Sequence, residues 1–129
     1  MAFRKTQSGR HSVTTNKIEH FATVKQPMSI AHDGLTVLAS IQETGLCRNL
    51  EIALNARDAI GQETYGTSLQ PDNGRDPMVD AYQESLDLVM YLRQSELEGK
   101  PRARALLERA VALAESIQSE IEQLDYHDA

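Results

Sequence analysis

Three carboxylates, Asp80, Glu84 and Asp87, lie in the stretch "NGRDPMVDAYQESLDLVMYL", residues 73 to 92, at spacings of four and three. On a helix those intervals stack the side chains on one side. At about 100° per residue, Asp80, Gln83, Glu84, Asp87, Tyr91 and Gln94 share a narrow arc. Met78, Val79, Ala81, Tyr82, Leu86, Leu88, Val89, Met90 and Leu92 spread over roughly 200°. So wide an apolar arc predicts a central helix with little exposed surface. Like charges three and four apart cost a helix a few tenths of a kcal/mol per pair unless a cation or basic partner offsets them. The row therefore reads as a metal site, as a face for a basic partner, or as a solvated edge.

A second set, Glu51, Asn55 and Asp58, falls within an arc of about 60° on the preceding helical segment. Two antiparallel helices facing these polar edges would gather Asp80, Glu84 and Asp87 with Glu51, Asp58 and the Asn55 amide. Hard divalent cations, Mg²⁺ or Mn²⁺, favour such oxygen ligands and would bridge them to phosphate oxygens. The competing reading makes each edge the wet side of an amphipathic helix. Arg75, just before the third helix, suits an anion at a helix N-terminus, or else a surface pairing with Asp72 or Asp76.

The elements that must position these residues are helical. A first helix is expected from about Gly34 to Glu43, with Asp33 as N-cap and Gly45 beyond its end. A second is expected from Arg48 to Gln62, with Leu50, Ala53, Leu54, Ala56 and Ile60 at helical spacing. The loop "YGTSLQPDNG" breaks it. Asp76 before Pro77 marks the start of a third helix running to about Leu97. The fourth begins at Pro101, and its Leu107, Ala110, Ala114, Ile117, Ile121 and Leu124 form the seam of a helix packed along another helix or another subunit. Residues 1 to 30 hold only short strand-like pieces such as "HFATV", so the chain divides into a basic arm, 1–30, and a helical domain, 31–129.

Composition limits the classes. The chain has 129 residues, 40% of them apolar, no Trp and two Phe, so its core must be built from aliphatic residues. A single cysteine, Cys47, excludes an internal disulfide framework and a cysteine zinc site, and points to a reducing, cytoplasmic setting. Cys47 is expected as a small packed residue rather than a nucleophile. The four histidines, 11, 20, 32 and 127, are scattered and form no ligand pair. No apolar run approaches a membrane span, and the basic start lacks an apolar stretch behind it, so no membrane partner is expected. Residues 1–27 carry five Lys/Arg (Arg4, Lys5, Arg10, Lys17, Lys25) against Glu19; the remainder carries eight against eighteen acids, for a net charge of −6. The acidic body should repel nucleic acid unless metal ions intervene. The arm is left to nucleic acid, to an acidic partner, to a neighbouring subunit, or to solvent.

The segment "YGTSLQPDNGRDPMVDAYQESLDLVMYLRQ" resembles MazG-like nucleotide pyrophosphohydrolases around their second carboxylate motif. In that motif Glu-x-x-Asp, followed by an aromatic residue or Asn and then Leu, lies on an inner helix. Glu84, Asp87, Tyr91 and Leu92 match it. The segment is also similar to short proteins of this type often carried by bacteriophages. The resemblance implies an all-α, four-helix MazG-like bundle with an extended basic N-terminal arm, usually oligomeric through helix packing. It further implies Mg²⁺ (or Mn²⁺) held by carboxylates of two facing helices, and cleavage of nucleoside triphosphates to monophosphate and pyrophosphate. Glu84 and Asp87 would then be metal ligands, with Glu51 and Asp58 completing the set and Glu51 joining Glu84 and Asp87 in catalysis. Arg75, Asn55, Tyr91 and Lys100 would contact the nucleotide. The family's Glu-Glu-x-x-Glu string on the preceding helix is absent; Glu51 and Asp58 are the nearest substitutes, at a different spacing. That departure leaves two alternatives beside the hydrolase: a protein that binds and sequesters a nucleotide or nucleotide-derived signal without cleaving it, and a helical protein-interaction module.

Overall fold

A computed structural model describes residues 12–23 and 36–127. They form five α-helices: α1 (Ser12–Thr23), α2 (Val37–Gln42), α3 (Arg48–Tyr65), α4 (Pro77–Leu97) and α5 (Ala103–His127). No strand occurs among the described residues. The chain divides into two compact units, one holding α1, α4 and α5 and the other α2 and α3. The all-helical expectation holds, with one helix more than the four expected: "HFATV" has a strand-like composition, yet His20–Thr23 is the last turn of α1. The reason lies across the chain. Ile18 is buried, and Phe21 and Ala22 are half-buried against α4 and α5, so long-range packing overrides a weak local preference. The basic residues before position 12, Lys25, and the expected cap Asp33 lie outside the described residues.

In the first unit, α4 starts where local chemistry places it. Pro77 has no N–H to leave unpaired, and Asp76 Oδ1 accepts from the backbone N–H groups of Met78 (3.0 Å) and Val79 (3.3 Å). Asp76→Ala should lower the stability of this unit by about 1 kcal/mol, read as a shift in denaturation midpoint. The helix ends at Leu97, and Gly99 just beyond it, with a left-handed φ of 79°, turns the chain away. α5 then buries Ala103, Leu107, Ala110, Ala114 and Ile121. The expected seam is found, except that Leu124 is exposed and Ile117 only half-buried. Three alanines in the seam allow α4 and α5 to approach closely.

Val79 (0% exposed), Tyr82 and Ser85 are the buried residues of α4. Tyr82 joins Ile18 of α1 and Ile121 of α5, with Met78, Leu86, Phe21, Ala22 and Ile117 packed around them. Gln83 Nε2 donates to the Phe21 carbonyl (2.7 Å), tying α1 to α4. The expectation of a central α4 with little exposed surface is corrected: Ala81, Leu88, Met90 and Leu97 are exposed, since α1 and α5 cover only part of its circumference. Burial, and then the Glu122 carboxylate, push the Tyr82 phenol above its ordinary 10.0. The folded state thus holds this proton more tightly than the unfolded chain. The stability it contributes is complete below pH 10 and is lost as pH rises past 10 toward the folded value. Tyr82→Phe should remove that part of the alkaline destabilisation, as denaturation midpoints on either side of pH 10 will show.

In the second unit, α2 is shorter than expected: its N-cap is Thr36, whose Oγ1 accepts from Ala39 N–H (3.2 Å). α3 begins at Arg48 as expected but runs to Tyr65, where Gly66 (φ 78°) closes it with its N–H on the Gln62 carbonyl (2.8 Å). The Val37 N–H donates to the Leu69 carbonyl (2.9 Å), holding the loop after α3 to the start of α2. No residue of α3 is buried, and Leu50, Ala53, Ala56 and Ile60, expected on a core face, are exposed. A six-residue helix and one loop offer too little surface to cover an 18-residue helix. Cys47, expected to be packed, is an exposed free thiol at the α3 N-cap and makes no side-chain cap bond.

Candidate functional site

The acidic row of α4 rests on a well-formed helix. Val79, Tyr82, Ser85 and Leu86 hold one side in the core, so Glu84 and Asp87 are directed outward and both are exposed. Asp80, a turn earlier, is half-buried; Tyr91, a turn later, is 65% exposed. Glu84 and Asp87 have no hydrogen-bond or ion-pair partner among the described residues, so their oxygens are open to an incoming group. The row was legible from spacing alone, and its exposure is what the structure adds.

The second-helix set has other work. Asp58 Oδ2 accepts from Gln62 Nε2 (2.7 Å) and from Ser68 Oγ (2.9 Å), pinning the loop after α3 to the helix. Asn55 Oδ1 accepts from Gln42 Nε2 (3.1 Å) and joins α3 to α2. Glu51, Leu54 and Asp58 are half-buried while Asn55 is exposed, so this edge is partly covered within its own unit. The amphipathic pattern pointed the opposite way. Glu51, Asn55 and Asp58 belong to one unit, and Glu84 and Asp87 to the other. Among the described residues no three His, Cys, Asp or Glu side chains are grouped so as to hold a metal ion.

The remaining residues singled out for a nucleotide are placed as follows. Arg75 is half-buried, and its backbone N–H donates to Oδ1 of the buried Asn73 (3.0 Å), an Asx turn that brings the chain to α4. Lys100 is exposed beyond the C-terminus of α4. The helix rises about 15 Å from Asp87 to its last residue, Leu97, so Lys100 follows more than two turns after the carboxylate pair.

Spacing did not reveal the charged cluster where α4 meets α5. Glu96 accepts from Arg93 (2.9 Å) and Arg104 (3.4 Å), and Arg104 also reaches Glu108 (3.2 Å). The arginines are more than half exposed, so each pair is worth little, and the cluster serves register more than stability. The i,i+4 pair Arg104–Glu108 was the available signal; the Arg104–Glu96 contact depends on the turn. In the loop before α4, the Gln70 side-chain oxygen is buried without a hydrogen-bond partner.

Comparison with family models, with curated proteins and with solved structures finds no match to this chain.

Proposed function

We propose that this chain is a MazG-like nucleotide pyrophosphohydrolase that works with Mg²⁺ or Mn²⁺ and uses the outward face of α4. The observation that carries the reading is the open pair Glu84 and Asp87, one turn apart, exposed, and without protein partners, with exposed Tyr91 one turn on. Mg²⁺ is commonly held by one or two carboxylates while substrate phosphates and water fill its other positions, so this donor set fits. When bound, such an ion polarises a phosphoryl group and lowers the pKa of water. The chain's own part is to hold both carboxylates in register on a helix fixed by the Tyr82 cluster and the Asp76 cap. Tyr91 offers a ring for stacking and a hydroxyl for hydrogen bonding beside them.

A second reading, the interaction module, is favoured by a separate observation: α3 presents Leu50 (48%), Ile52 (56%) and Ile60 (51%) to solvent. The experiment is a panel of nucleoside triphosphates with Mg²⁺, the products separated by chromatography and Asp87→Asn run as control. Pyrophosphate release that disappears in the variant supports the hydrolase. A melting shift with the nucleotide recovered intact would replace hydrolysis with sequestration. Neither turnover nor shift would sink both nucleotide readings and leave the interaction module.

A further inference from the structure

The buried seam of α5 does not account for all of its apolar residues. Leu106 (46%), Leu113 (52%) and Leu124 (46%) are exposed, and with half-buried Ile117 they occupy an arc of about 40° on one flank of the seam. Their spacings of seven, four and seven are those of a helix packing lengthwise on another helix. The set is also symmetric about position 115: Leu106 and Leu124 are equally far from it, as are Leu113 and Ile117. Beside this stripe, on the same flank, lie exposed Arg109 and Glu120, which are nearly equidistant from that centre. Neither makes an ion pair among the described residues.

A two-fold axis makes an interface self-complementary, each residue meeting its counterpart's partner. An antiparallel pair of α5 helices centred on position 115 sets Leu106 against Leu124 of the second copy, and Leu113 against Ile117. It also sets Arg109 beside Glu120, twice, on one face of the pair. A parallel pair would align each leucine with itself and place the charged flanks of the two copies on opposite faces of the pair, so that Arg109 and Glu120 could not meet. We propose that the exposed flank of α5 is a homodimer interface in which two copies pack α5 antiparallel, with Arg109–Glu120 ion pairs setting the register. The inference does not depend on the nucleotide reading.

Sedimentation equilibrium on the full chain tests it. A dimer is expected, with a dissociation constant on the order of 10 µM for a contact of about one helix per side. Leu113→Glu should weaken it at least tenfold while circular dichroism stays helical. Arg109→Glu and Glu120→Arg should each weaken it several-fold, and the double variant should recover the wild-type constant, because the charges are exchanged and the geometry kept. A monomeric wild-type chain, or a dimer indifferent to Leu113→Glu, would overturn the interface. Failure of the double variant to recover would overturn the antiparallel register. All three charge variants are at exposed positions, so their folding is not at stake.

Discussion

Tyr82→Ala should cost the first unit about 3–4 kcal/mol, in the range for deleting a buried aromatic side chain. Tyr82 is 6% exposed, and it is the α4 member of a cluster whose other buried residues, Ile18 and Ile121, come from α1 and α5. Removing the ring leaves a cavity touching all three helices, and the small unit has few other buried side chains with which to collapse around it. Since small domains are stable by only about 5–15 kcal/mol, much of that margin disappears. Met90→Ala provides the comparison: Met90 is 70% exposed on the same helix, and its loss should stay within about 0.5 kcal/mol. Denaturant titration followed by circular dichroism measures both. Equal costs for the two variants would mean that the cluster does not hold the unit together.

If the chain hydrolyses nucleotides as proposed, pyrophosphate release should fall at least about a hundredfold in Asp87→Asn and in Glu84→Gln. A metal ion supplies several kcal/mol of charge stabilisation to phosphoryl chemistry, and each 1.4 kcal/mol is tenfold in rate. The amides keep the shape of the side chains but lose the negative charge that a hard cation requires. Stability should move the other way. Glu84 and Asp87 repel each other at three residues' spacing, so neutralising either should raise stability by a few tenths of a kcal/mol. A loss of turnover without a loss of stability separates chemistry from folding. Variants as active as wild type would remove the α4 carboxylates from the reaction. Asp58→Asn behaves differently, since Asp58 already accepts bonds from Gln62 and Ser68.

Much of this protein was determined along the chain itself. The α4 boundary at Asp76–Pro77, the glycine after its end, the α5 seam of Leu107, Ala110, Ala114 and Ile121, and the row of Asp80, Glu84 and Asp87 follow from interactions within a few residues. Caps, left-handed glycines and helical spacing operate at that range, so a linear reading finds them. Tertiary structure decided which faces are covered. α1 is a helix whose Ile18, Phe21 and Ala22 find α4 and α5; α3 turns its Glu51–Leu54–Asp58 edge toward its own unit and leaves Ile52 and Ile60 exposed; α4 is only partly enclosed. A helical pattern states which residues share a side, but burial depends on how much surface other segments bring to it. Residues 12–23 bring enough to α4 and α5, and the six residues of α2 do not bring enough to α3.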